Sequence, residues 1–114
     1  MNDKIEHLDF SALAELREIM EDEFEILIET YLDDSAERII EMQEAVKERD
    51  ANALSHAAHS LKGSCTNIGV PVLAKLCMEA EMKGKAGDLE GVDELLSSIE
   101  NVFSEVSQLL KAQI

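Results

Sequence analysis

Residues 51–69 read ANALSHAAHSLKGSCTNIG, and this stretch decides the fold. Asp50, just ahead of it, is the kind of side chain that accepts hydrogen bonds from the free N–H groups of a helix start. Leu54, Ala58, Leu61, Cys65 and Ile68 follow at alternating spacings of four and three. That is the period of a helix burying one stripe against antiparallel neighbours. Gly69 then reads as the residue past the helix end, and Pro71 as a first-turn position of the next helix.

The helical period extends outward from there, from Asp9 to the end of the chain. Asp9 predicts the cap of a short first helix carrying Leu13, Leu16 and Met20. A long helix follows, with Phe24, Leu27, Ile28, Tyr31, Leu32, Ile39, Met42 and Val46 on one stripe. Beyond Pro71, Leu73, Leu76, Cys77 and Ala80 face inward. Gly84 to Gly87 predict a turn, and Asp88 predicts the cap of a last helix with Leu89, Val92, Leu96, Ile99, Phe103, Val106 and Leu110 in register. Short connections between long amphipathic helices favour antiparallel neighbours. The expected class is all-α, an antiparallel up-down four-helix bundle with a short extra N-terminal helix. A single domain over residues 1–114 is expected, its bundle core over about 20–112.

Composition narrows the function. The 114 residues carry 10 Lys and Arg against 25 Asp and Glu, a formal charge of −15. Such a balance argues against nucleic acid and anionic membrane as partners. No apolar run is long enough to span a bilayer. The charged start, MNDKIEHLDF, lacks the apolar stretch of a signal peptide, so a cytoplasmic protein is expected. Cys65 and Cys77 are too few for a disulfide framework and fall on buried stripes, where a thiol packs as a small hydrophobe. The chain has no phosphate-binding GxxxxGK loop, GxGxxG turn, GxSxG elbow or HExxH helix. A complete nucleotide-driven enzyme is not expected.

The chemistry concentrates on helix 51–69. Stepping 100° per residue gathers the apolar positions within about 80°, while His59 falls roughly 140° away from their centre and points to solvent. Lys62 and Gly63 are its neighbours three and four positions on. The segment contains no Asp or Glu, and its one full charge is on Lys62. Gly63 costs roughly 0.8–1 kcal/mol against alanine inside a helix. A glycine there makes sense if another surface must approach the backbone beside His59. An exposed imidazole with a free lone pair, next to an ammonium, suits a nucleophile that accepts a phosphoryl group. Lys62 can offset charge on the phosphoryl oxygens. His56 and His59 alone are too few for a metal site, and no metal or cofactor is expected in this chain.

These residues resemble a known family. His59-Ser60-Leu61-Lys62-Gly63-Ser64, followed by Gly69, Leu73, Leu76, Cys77 and Glu81, is similar to the pattern H-x-L-K-G-S/A, then G, then L-x-x-L-C/A-x-x-L/A-E. That is the pattern of histidine-containing phosphotransfer (HPt) domains. The motif spans residues 51–84, and the helix layout about 20–112. The resemblance implies a four-helix bundle with a covering helix, and a phosphocarrier that shuttles phosphate between aspartates of receiver domains in a multistep phosphorelay. His59 would be the phosphoacceptor through Nε2, Lys62 the phosphate-facing cation, and Gly63 the small residue admitting the partner. The receivers of hybrid sensor kinases and response regulators would be the partners and would bring the Mg²⁺. The chain itself would have no ATP-dependent kinase activity, and charged outer faces favour a monomer. The alternative is a helical adaptor that binds a receiver or kinase without carrying phosphate.

A docking patch can also be laid out. Folding the chain back at residues 49–50 puts Ile40 level with His59, and Ile40 lies roughly 140° from its own buried stripe. The expected patch is Ile40, Ser55, His56, His59, Lys62, Gly63, Thr66 and Asn67.

Overall fold

The computed structural model describes residues 7–114; the charged start of the chain, residues 1–6, lies outside them. Five α-helices follow one another: α1 (Phe10–Met20), α2 (Phe24–Lys47), α3 (Ala51–Ile68), α4 (Pro71–Ala86) and α5 (Val92–Lys111), with a 3₁₀ turn at Glu21–Glu23 between the first two. Helices α2 to α5 form the antiparallel bundle, and α1 covers one end. Its core is a single cluster that includes Ile28, Met42, Leu54, Leu61, Leu73, Ile99 and Leu110.

Local chemistry sets the boundaries. Asp9 and Asp50 cap α1 and α3, accepting from the backbone N–H of Ala12 at 3.1 Å and of Ala53 at 3.0 Å. At the far end of α3, Gly69 is left-handed (φ 90°), and Val70 donates back to the Cys65 carbonyl at 2.9 Å. Pro71 then starts α4 in its first turn. Since Gly69 is also where α1 docks, its carbonyl accepts from Asp9 N–H at 2.8 Å. Arg17 ties α1 to the other terminus: its guanidinium donates to the Gln113 carbonyl at 2.6 Å and stands over the Phe24 ring.

The last turn departs from expectation. Gly84 belongs to α4, not to a turn, and is buried. A Cβ at Gly84 would stand 2.7 Å from the Ala51 carbonyl oxygen and 2.8 Å from the Ser55 nitrogen. Glycine is there because the backbones of α3 and α4 press together at that level. The helix closes at left-handed Gly87 instead, with Asp88 N–H bonded to the Lys83 carbonyl. Asp88 does not cap α5 either. Its carboxylate accepts from Glu90 N–H at 3.1 Å within the loop, and α5 starts at Val92 behind Gly91 without a side-chain cap. His7, ahead of α1, is mostly buried, with Nε2 2.9 Å from Glu105.

Behind the α3 face, Tyr31 and Cys65 are within hydrogen-bond distance at 3.2 Å. Both cysteines are free and buried, as their stripe positions predict. Burial pushes the Tyr31 hydroxyl well above its usual range, and the hydrogen bond to Cys65 together with burial does the same to Cys77. The hydrogen bond with Cys77 lowers Cys65 in turn, and all three side chains pack in the buried core.

Candidate functional site

Helix α3 turns its apolar stripe to the core and its other side to solvent. Leu54, Ala58, Leu61, Cys65 and Ile68 are buried, while His56, His59, Gly63, Thr66 and Asn67 are exposed and Lys62 is half-buried. The His59 side chain is 68% exposed. The 100° step places these residues correctly because α3 is a regular helix between two firm caps.

The face is free of acid only along its own helix. Helix α4 runs back antiparallel and delivers Glu81, whose side chain is 5% exposed, to the base of the imidazole. Glu81 Oε2 lies 2.9 Å from His59 Nδ1, and its Oε1 accepts from Lys62 Nζ at 2.7 Å. Lys85 Nζ stands 3.1 Å from the same Oε2. The hydrogen bond from Lys62 is the main reason the Glu81 carboxyl is held down at about 2; burial opposes it, and Lys85 and His59 add to it. An ionised carboxylate can only accept, so Nδ1 carries the proton. The free lone pair of the neutral ring is then on Nε2, on the side away from Glu81.

Glu81 sits behind the ring, bound to three donors, and leaves the Nε2 side to solvent. Sequence reasoning placed Glu81 within the motif but did not assign it this contact, and it did not find Lys85. The signal was present: Glu81 and Lys85 are one helical turn apart, and a hairpin closed at residues 69–70 brings that turn level with His59.

Gly63 is exposed in the interior of α3. A Cβ built there would meet nothing within 4 Å. Nothing among the described residues demands glycine at that point, and a helix interior disfavours it.

Two members of the expected docking patch are placed differently from the rest. Ser55 is only 8% exposed, because it packs under Gly84 of α4. Ile40 is 52% exposed, but on the wrong flank of α2. The α2 residues that line the α2–α3 groove with His56 and Ser60 include Arg38, Glu41, Ala45 and Glu48. Ile40 lies about 40° from Glu44, which also lines that groove, but about 100° from Glu41 and about 140° from Ala45; on the other flank it is about 40° from Ala36 and about 60° from Gln43. Those two face α5, where Gln43 donates to Glu100 at 2.8 Å. The α2 residues that do reach the far end of the His59 face are Leu27, Thr30 and Asp34, around a hollow of about 150 Å³ shared with Ser64 and Asn67.

A second hollow, of about 330 Å³, opens beside the imidazole and is lined by Asn52, Ser55, His56, His59, Glu81 and Lys85. Among the described residues there is no group of three side chains able to ligate a metal.

Comparison with known proteins identifies the family and the fold. The Hpt domain family model matches residues 26–110. The crystal structure of histidine-containing phosphotransfer protein B (HptB) from Pseudomonas aeruginosa PAO1 superposes with a TM-score of 0.93 at 39% identity, covering 96% of each chain. A candidate histidine-containing phosphotransfer protein from rice shares the fold, with a TM-score of 0.82 at 18% identity over 92% of this chain and 79% of that one. Multistep phosphorelay regulator 1 of Schizosaccharomyces pombe is 30% identical over 94 residues, 82% of this chain. The chain spans about a third of the length of that curated relative, 32%.

Proposed function

The chain belongs to the Hpt domain family, and from that membership we propose that it is a phosphocarrier in a multistep phosphorelay, with His59 as the residue that holds the phosphoryl group. One observation carries the assignment of the residue. Glu81 binds Nδ1, so Nε2 presents its lone pair to solvent beside Lys62 and Gly63.

The step follows from that arrangement. Nε2 attacks the phosphorus of a receiver's aspartyl phosphate; the P–N bond forms, the P–O bond breaks, and the aspartate leaves as carboxylate. The Nδ1 proton stays where it is, and the ring becomes cationic with Glu81 against it. Donation to a second receiver is the reverse. Lys62 stands at the rim of the site, where its ammonium can offset charge on the phosphoryl oxygens. The receiver supplies the aspartate and the Mg²⁺, and this chain takes no phosphate from ATP.

The docking face that fits this step is His56, His59, Lys62, Gly63, Thr66 and Asn67 on α3, extended by Leu27, Thr30 and Asp34 of α2 rather than by Ile40. Among the described residues no helix is long and apolar enough to cross a membrane. The proposed setting is a monomer in the cytoplasm, which the relay role and the charged outer faces favour.

The test is transfer of radiolabel from a phosphorylated receiver of the same cell to the purified chain, with His59→Gln alongside. Acid-labile, alkali-stable label on the wild type alone supports the carrier. Binding of receivers without label on either protein would mean an adaptor.

A further inference from the structure

Lys85 stands outside the recognition motif, yet it touches the atom that controls His59. It follows Glu81 by one turn of α4, and its Nζ shares Glu81 Oε2 with His59 Nδ1, at 3.1 and 2.9 Å respectively. The two nitrogens are therefore no more than 6.0 Å apart through that oxygen. Lys62 occupies the other oxygen, Oε1. The titratable and charged groups facing the imidazole are His56 and Lys62 from α3 and Glu81 and Lys85 from α4; the hollow beside it is lined by those two helices alone.

What the Nδ1 proton does is general chemistry. When phosphoryl leaves Nε2, the P–N electrons return to the ring. With Nδ1 protonated the departing group is neutral imidazole; without that proton it is imidazolate, a far worse leaving group. Whatever strengthens the hold on the Nδ1 proton makes the phosphoryl group easier to lose. Glu81 strengthens it, and a cation on the same oxygen weakens it.

Resting on the reading that His59 carries the phosphoryl group, we propose that Lys85 is a positioning residue that sets the lifetime of phosphorylated His59, by drawing on the Glu81 oxygen that holds the Nδ1 proton. Because Lys85 is two-thirds exposed, its field is largely screened and its effect is a tuning one.

The experiment labels the full chain with phosphoramidate, which needs no receiver: ammonia leaves as the P–N bond to Nε2 forms. Loss of the phosphoryl group is then followed by ³¹P NMR from about pH 5 to pH 9, a range that brackets imidazole titration. In Lys85→Met the pH profile should move up by about half a unit, which is about threefold faster loss on its alkaline side. Lys85→Arg should restore the wild-type profile, as a merely structural role for the stem would not require. A Lys85→Met profile that coincides with the wild type, or moves down, overturns the proposal. So does failure of phosphoramidate to label His59. A chain that phosphoramidate labels but no receiver labels would defeat the carrier reading separately, with the profile still deciding the role of Lys85.

Discussion

At the scale of single residues, the site is one imidazole gripped from behind. Glu81→Gln keeps the shape but replaces an ionised acceptor with a neutral one. A hydrogen bond to a charged group contributes about 1.5–3 kcal/mol. Phosphoryl acceptance in Glu81→Gln should accordingly slow by about ten- to a hundredfold, read from single-turnover transfer, with the helical circular dichroism spectrum retained. Gly63 makes the opposite kind of prediction. Gly63→Ala should raise stability to urea by about 0.8–1 kcal/mol, since the methyl meets only open space. Gly63→Leu should fold as well and yet slow transfer sharply, because what it blocks is the partner. Equal transfer rates in Gly63→Leu and wild type would remove the close-approach role.

Elements bring in a second level of constraint, the fit of one helix on another. The α3–α4 pair is tightest at Gly84, where backbone atoms of Ala51 and Ser55 leave no room for a side chain. Gly84→Ala gains helix propensity and loses packing, and the clash with backbone decides the sign. It should lower stability by about 1–3 kcal/mol in urea titrations, and no gain in stability is compatible with the close approach seen here. The flank of α2 supplies a functional test at the same scale. Ile40→Asp should leave receiver transfer unchanged, since Ile40 is exposed and lies about 140° around α2 from Ala45, which packs toward α3. Thr30→Arg, at the rim shared with Ser64 and Asn67, should slow it.

For the whole molecule the relevant variable is charge. Residues 51–86 hold four lysines and two glutamates, net +2, so the remainder of the chain carries −17 of the total −15. The proposed phosphoacceptor His59 therefore lies on the less acidic part of the chain, the part an anionic aspartyl phosphate can approach. Acid stability reports on the same distribution. The Glu81 carboxyl is depressed from 4.5 to about 2 on folding. Its contribution is fully present above about pH 4.5 and is lost as the pH falls toward 2. Most of the other acids repel one another, so protonating them works in the other direction. The difference in urea midpoint between wild type and Glu81→Gln isolates the term: it should be largest at neutral pH and shrink as the pH drops below about 4.5. A constant difference across that range would contradict the ionised, buried carboxylate.

The division between what was legible in the sequence and what was not follows from periodicity. A helical period, two Asp caps and a Gly-Pro break are local signals. They sufficed to place α1, α2, α3 and the start of α4, to bury Cys65 and Cys77, and to turn His59 outward. Together with the motif they sufficed for the family. The Gly84–Asp88 segment misled because a glycine that ends a helix and a glycine that lets two helices touch look alike in one dimension. An angle on a helical wheel also says how far a side chain is from the core, but not which neighbour lies on which flank. That depends on the handedness of the bundle, which is why Ile40 was exposed as expected and yet on the wrong side. Ser55 was lost to the same cause, a close α3–α4 contact that no spacing encodes. The sequence by itself determined the helix that bears His59, the outward direction of that side chain and the family to which the pattern belongs. Only the tertiary structure decided what holds the imidazole, because the contact of Glu81 with His59 joins residues more than twenty positions apart and exists only once α4 has folded back on α3.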